Sequence, residues 1–280
     1  MAKDYFHGWY FKCMTSNKSI AMIPALHRCN GRETASLQII TDDATYNIPI
    51  HNLEFQESPL FVRIGSSIFC EKGIRLHIHT KQIHAEGILR FKELTSIRYD
   101  IMGPFQFVPF MQCRHRVYSM RHRIDGILTV NGQQYIFRNG IGYLEGDRGY
   151  SFPSQYLWTQ CIFPNGSLML SVADIPLMGL HFYGVIGIVI IDGQEHRIAT
   201  YLGAKPDYIR QNTVVIKQGD YCLTAKMIQK HAKPLNAPEH GKMSRIIHES
   251  LSCKAFYRFE HHGRILCKFV SDRASFEFEF

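Results

Sequence analysis

Glu145 is the first candidate for acid chemistry in this sequence. It stands beside Tyr143, in a segment bounded by Gly142 and Gly149 that reads as a shaped loop feeding a strand. A carboxyl group in apolar surroundings keeps its proton near neutral pH, because desolvation penalises the charged form. Asp147 and Arg148 follow at once, so a structural ion pair among Glu145, Asp147 and Arg148 is the competing reading. Asp174 is the second candidate carboxylate. It lies between the apolar run 167–172 and Pro176, where a strand-end turn would also use it. His181, close to Gly179 and Phe182, could relay a proton, although a lone histidine among apolar residues is usually a hydrogen-bonded core residue. Glu249 is third. Arg245 lies four residues before it, a spacing that a plain salt bridge explains as well.

Trp9, Tyr10, Tyr156 and Trp158 are candidate walls of an apolar site, and Trp9 and Trp158 could equally be core residues. Gln160 is two residues beyond Trp158, so on a strand both point to one side and Gln160 offers an amide to a ligand oxygen. The stretch 100–110, DIMGPFQFVPF, brings Met102 and Phe105 into a loop that could line an apolar cleft or simply pack. Arg114-His115-Arg116 and Arg121-His122-Arg123 make the densest basic patch. Its alternation with apolar residues suits a solvated strand, so no nucleic-acid partner is expected, and contact with a membrane surface is the better alternative. The pairs His77 with His79 and His261 with His262 lack further ligands in the sequence, so no metal site is expected.

The elements that would hold these residues are strands. Short apolar runs alternate with turn signals along most of the chain. Asn30-Gly31, Asn131-Gly132, Asn165-Gly166 and Asp192-Gly193 are hairpin dipeptides, because both residues tolerate positive φ. Leu76-His77-Ile78-His79 and the terminal Ser275-Phe276-Glu277-Phe278-Glu279-Phe280 alternate with period two. Residues 239–251 fit either helix or strand. A strand headed by Trp9, a tight turn, a return strand and a further strand recur in the same order from Trp158, which suggests duplicated β units. The fold expected is all-β with few helices, divided into domains 1–110 and 111–280, with the boundary falling between about Ser96 and His115.

Composition narrows the classes further. The 280 residues are 45% hydrophobic and 20% charged, which excludes a disordered chain, and the formal net charge is +8. The longest apolar stretch, 184–191, is too short for a membrane-spanning helix. No signal-peptide pattern opens the sequence and the eight cysteines form no CxxC pair, so a cytoplasmic protein with reduced thiols is expected.

Gly8-Trp9-Tyr10-Phe11-Lys12, then the Gly142–Gly149 segment, Ser151-Phe152-Pro153 and Trp158-Thr159-Gln160-Cys161, together resemble the tocopherol cyclase family. The order and rough spacing of these motifs extend the resemblance over most of the chain. It implies two lipocalin-like antiparallel β-barrel domains packed together, a hydrophobic isoprenoid or prenylated quinol as ligand, and no cofactor. It further implies an acid-catalysed ring closure in which a proton reaches an alkene and a phenolic oxygen attacks the cation, with aromatic faces stabilising the charge. Glu145, Asp147 and Asp174 are the catalytic candidates. Trp9, Tyr10, Met102, Phe105, Tyr143, Arg148, Trp158, Gln160, His181, Arg245 and Glu249 are the substrate-binding candidates. Where the family has an EKNWG-like stretch, this chain has Glu145-Gly146-Asp147-Arg148-Gly149. That departure favours the alternative of a non-catalytic carrier. Hydration of a double bond on the same scaffold is a third reading. Oligomeric state is not readable.

Overall fold

A computed structural model of the chain describes residues 4–109, 111–177 and 180–280. The strands in chain order are β1 (Tyr5–Met14), β2 (Ser19–Cys29), β3 (Arg32–Thr41), β4 (Thr45–Ile50), β5 (Leu53–Glu57), β6 (Leu60–Ile64), β7 (Ser67–Cys70), β8 (Gly73–His79), β9 (His84–Phe91), β10 (Cys113–Val130) and β11 (Gln133–Gly149). They continue as β12 (Tyr156–Phe163), β13 (Gly166–Leu177), β14 (Leu180–Ile191), β15 (Gln194–Ala199), β16 (Lys205–Arg210), β17 (Thr213–Gln218), β18 (Tyr221–Gln229), β19 (Lys233–Glu239), β20 (Lys242–His261) and β21 (Arg264–Phe278). Among the described residues there is no α-helix, only short 3-10 turns at Gly103–Phe107 and Thr200–Leu202. No helix among them is long and apolar enough to cross a membrane.

The chain divides into two units. The first comprises Met1–Ile97, His115–Ser151 and Asn236–Arg245, and the second Arg98–Arg114, Phe152–Leu235 and Ile246–Phe280. In the first, the strand order is β4-β3-β2-β1-β11-β10-β9-β8-β7-β6-β5. The two edges, β4 and β5, are consecutive in sequence. Ile48 of β4 and Leu53 of β5 both pack on one core with Trp9, Phe11, Leu37, Val62, Phe69 and Leu144, so the sheet curls into a nearly closed barrel. Gln38 of β3 fastens the later segment to this unit. Its Nε2 donates to the Asn236 carbonyl at 2.9 Å and its Oε1 accepts the Asn236 N–H at 2.9 Å.

The second sheet repeats the plan as β15-β14-β13-β12-β21-β20-β18-β17-β16; β19 pairs with β20, and the turn joining them belongs to the first unit. The core of the second unit gathers Leu157, Cys161, Leu170, Val189, Tyr257, Phe259 and Phe276. The echo read from the two Trp-headed segments is thus an echo of strand order: β1 and β12 each join the last long strand of their own sheet. The register does not follow the tryptophans. Trp9 points into the core of its unit, whereas in β12 the core takes Leu157 and Cys161 and leaves Trp158 on the opposite face.

Three of the hairpin dipeptides take the expected left-handed backbone: Asn30 and Gly31 (φ 51° and 76°), Asn131 and Gly132 (47° and 81°), Asp192 and Gly193 (49° and 78°). At Asn165-Gly166 the turn falls one residue earlier, on Pro164 and Asn165, and Gly166 already pairs with Phe163. Proline pre-sets the φ of such a turn, and a Cβ on Gly166 would come within 2.0 Å of the Ile190 carbonyl. Residues 239–251 are not helical: Glu239 ends β19, His240 and Gly241 turn, and from Lys242 they form β20, which pairs with β19 and, from Ser250, with β21.

Candidate active site

Strand alternation sorts β11 into two faces. Leu144 joins the core of the first unit, and Gly146 stands opposite Trp9, where a Cβ would lie 3.0 Å from the indole Cδ1 and 3.3 Å from the Tyr118 ring. The glycine makes room for Trp9. Tyr143, Glu145 and Asp147 therefore share the face turned away from that core. Their β1 neighbours on this face are Lys12, Tyr10 and Gly8. The face is nonetheless shielded from water: Tyr143 and Lys12 are 0% exposed, Glu145 4% and Tyr10 8%.

From β10, His115 completes the group. Its Nδ1 lies 2.8 Å from Oδ1 of Asp147 and its Nε2 2.9 Å from Oε2 of Glu145. The Tyr143 hydroxyl donates to the same Glu145 oxygen. The result is a continuous line of Asp147, His115, Glu145 and Tyr143. Burial alone would push the His115 imidazole down, but the two carboxylates and their hydrogen bonds hold it well above its ordinary value. The imidazole is thus the proton-bearing member, with Nδ1 hydrogen-bonded to Asp147 and Nε2 in ion-pair contact with Glu145. Desolvation, then the charge and hydrogen bond of Glu145, push the Tyr143 phenol well above its usual range, so it stays a donor.

Arg148 is not part of the line. It lies on the other face, where it donates to Glu57 at 2.8 Å; Arg116 is 3.8 Å from the same carboxylate. His7 reaches Glu57 at 3.8 Å and stacks on Trp9 with ring centroids 4.2 Å apart. Its pKa is lowered to about 4, chiefly by burial, against the opposing charge of Glu57. An ion pair among Glu145, Asp147 and Arg148 is therefore not what forms: the two acids share His115, and the arginine belongs to Glu57.

In the second unit, Tyr156, Trp158 and Gln160 occupy the face of β12 turned away from the core. Trp158 stands opposite Glu277 and Gln160 opposite Ser275 on β21. The Tyr156 hydroxyl donates to Glu277, which is 8% exposed. Ser250 pairs with the core residue Phe276, which turns the neighbouring Glu249, 1% exposed, to the Trp158 side. Asp174 is elsewhere, at the far end of β13, holding His181 Nδ1 at 2.9 Å; that imidazole is 64% exposed. Met102 is buried beside the 3-10 turn and Phe105 lies edge-on to Tyr201. Arg197 secures this loop by donating to the Tyr99 and Asp100 carbonyls at 2.8 and 2.9 Å and by lying 3.6 Å over the Tyr99 ring. Arg245 is half-buried on the part of β20 that belongs to the first unit.

Of the candidate catalytic residues, the structure brings Glu145 and Asp147 together and leaves Asp174 apart. It adds His115 and Glu277, which the sequence reading did not single out. His115 was hidden inside a basic run. Its signal is alternation, which sends Arg114 and Arg116 one way and the histidine between them the other. Glu277 alternates with Phe276 and Phe278, and nothing local in the sequence shows that its side of the strand is buried.

No family model matches the chain, and no curated protein matches it. Among solved structures it is similar to CghA with Sch210972 (TM-score 0.64, 8% identity, covering 99% of this chain and 89% of that one). It is also similar to kievitone hydratase from Nectria haematococca (TM-score 0.58, 10% identity, 99% and 89%). These are lipocalin-like barrel proteins, and the likeness is one of fold. Membership of the tocopherol cyclase family is not shown by them.

Proposed function

We propose that the protein is a cofactor-independent acid–base enzyme that closes a ring in a prenylated aromatic or related isoprenoid compound, as a tocopherol cyclase does. The observation that carries this reading is the buried line of Asp147, His115, Glu145 and Tyr143. Ring closure of this kind needs an acid held away from water, a base to take a phenolic proton and aromatic surface beside the cation. Glu145, charged with a proton from Nε2 of His115, gives it to the alkene. The phenolic oxygen attacks the resulting tertiary cation, and its proton returns to the Glu145 carboxylate and so to His115. Atoms balance without any co-reactant. Asp147 fixes the imidazole by its Nδ1–H and stabilises its charge, and Tyr143 holds the Glu145 oxygen in place.

The small-molecule character of the ligand is supported by the fold shared with a hydratase and with a protein solved around a bound compound. Hydration of the same alkene is the second reading, favoured by the hydratase likeness; there water replaces the phenolic oxygen.

The test is incubation of the pure protein with a panel of prenylated hydroquinones, followed by mass spectrometry. Ring closure leaves the mass unchanged and yields a chromanol, whereas hydration adds one water. Glu145→Gln is expected to lower turnover at least ~100-fold, the scale of a lost general acid. No product of either kind across the panel, or turnover unaffected by Glu145→Gln, overturns the reading and leaves a carrier.

A further inference from the structure

The hairpin of β8 and β9 presents a second group of titratable side chains, far simpler in construction. Leu76, Ile78, Ala85 and Leu89 point into the core of the first unit, so the period of two sends His77, His79, His84 and Glu86 outward. The ladder register sets His77 opposite Glu86 and His79 opposite His84, which makes a two-by-two grid. Neither strand alone contains such a set. Pairing supplies it.

The geometry points to a binding site for a divalent cation of the zinc class, held by His77, His79 and Glu86. One ligand atom from each lies within 4.8 Å of the others. Nε2 of His79 is 3.5 Å from Oε2 of Glu86. That gap is long for a hydrogen bond, but it is close to the ~3.3–3.4 Å edge of a tetrahedron around zinc with bonds of about 2.0–2.1 Å. The rings of His77 and His79 are 4.5 Å apart. Imidazole and carboxylate donors together suit zinc rather than magnesium or calcium. Three protein ligands leave a fourth position for water.

His84 supplies the group that a metal-binding histidine ordinarily requires behind it. Its Nδ1 lies 3.2 Å from Nδ1 of His79. When the His79 Nδ1–H donates to His84, the lone pair of His79 is left on Nε2, facing Glu86. The platform is rigid. Ser67 Oγ accepts the His77 N–H at 2.9 Å, and Thr80 closes the turn by accepting the Ile83 N–H at 3.1 Å. A site built on paired strands is held more tightly than one on a loop.

The experiment is isothermal titration of ZnCl2 into the chelator-treated full chain. One equivalent should bind in the micromolar range or tighter. His79→Ala should abolish that step, and Glu86→Gln should weaken it at least tenfold. His84→Ala should weaken it about 10–100-fold, the effect of removing an orienting partner. His262→Ala, in the exposed pair of His262 with Asp220, should leave it unchanged. All four side chains are exposed, and thermal unfolding of each variant checks that the fold is kept. Absence of a one-equivalent step in the wild type, or a step that survives His79→Ala, overturns the proposal; the second result assigns the zinc to other groups such as the thiols.

Discussion

His115→Gln removes the only cationic member of the line between Asp147 and Glu145, and its consequences can be worked out in advance. His115 is 8% exposed and Glu145 4%. Glutamine keeps a hydrogen-bonding side chain but cannot carry the proton. Two carboxylates then face each other across the vacated position without the His115 charge between them. Removing one partner from a buried ion pair costs about 3–5 kcal/mol, because an uncompensated charge is left behind. The pH dependence follows from the sign of the shift. The His115 pKa in the folded protein lies above its unfolded value near 6.5, so the folded state binds the proton more tightly. Its contribution is fully present below pH 6.5 and is lost as pH rises through the raised folded value, at about 1.4 kcal/mol for each unit of displacement. Urea unfolding of wild type and His115→Gln between pH 6 and 9 reads both effects. The wild type should lose stability on the alkaline side and the variant should show a flatter limb, while at pH 6 the variant should be the weaker by about 3–5 kcal/mol. Adding Glu145→Gln to His115→Gln should return at least ~1 kcal/mol relative to the sum of the single changes, since the two groups touch. A variant within about 1 kcal/mol of wild type at pH 6, with parallel alkaline limbs, would refute the assignment of the proton to His115.

Two further outcomes follow from other parts of the chain. Gly126→Ala should destabilise by about 3 kcal/mol or more, because its φ is +140° and a Cβ would fall 2.1 Å from the Ile88 carbonyl oxygen; Gly8→Ala, which meets Ala25 at 3.5 Å and the Pro24 carbonyl at 3.9 Å, should cost less than about 1 kcal/mol, and thermal unfolding compares them. His27 is driven down to about 4 by burial, so its share of stability is present above pH 6.5 and lost as pH falls through that window towards 4. His27→Gln should flatten the acid limb of a stability–pH curve by about 3 kcal/mol, and an unchanged acid limb would show that His27 takes up no proton on unfolding.

Much of the fold is legible in the residues, and the reason is local. Asn30-Gly31 or Asp192-Gly193 fixes a hairpin through the backbone angles of two residues, and Leu76-His77-Ile78-His79 sorts itself into an inner and an outer row by period alone. The Glu145 line was half legible. Tyr143, Glu145 and Asp147 share a face because they are spaced by two, and that is visible in one strand. Its fourth member is not, because His115 reaches them through the pairing of β10 with β11, which no single segment records. The same limit explains the zinc-type grid: His77 with His79 is a bare pair until β9 brings Glu86 and His84 alongside. It explains Arg148 as well. Adjacency to Asp147 suggested an ion pair, yet neighbours in a strand point in opposite directions, and the arginine went to Glu57. Residues 239–251 were ambiguous because Met243, Ile247 and Leu251 satisfy both periods, and pairing with β19 and β21 decides between them.

The way β1 is seated has a consequence for how the chain is made. One side of β1 pairs with β2, which follows after a short turn, but the other pairs with β11, ending at Gly149. A nascent chain emerging from the ribosome therefore carries an open strand margin until β11 has been made. The clasp between Gln38 and Asn236 waits longer still. Such distant pairings slow folding and leave sticky intermediates, so premature termination before β11 should yield insoluble product rather than a small stable barrel.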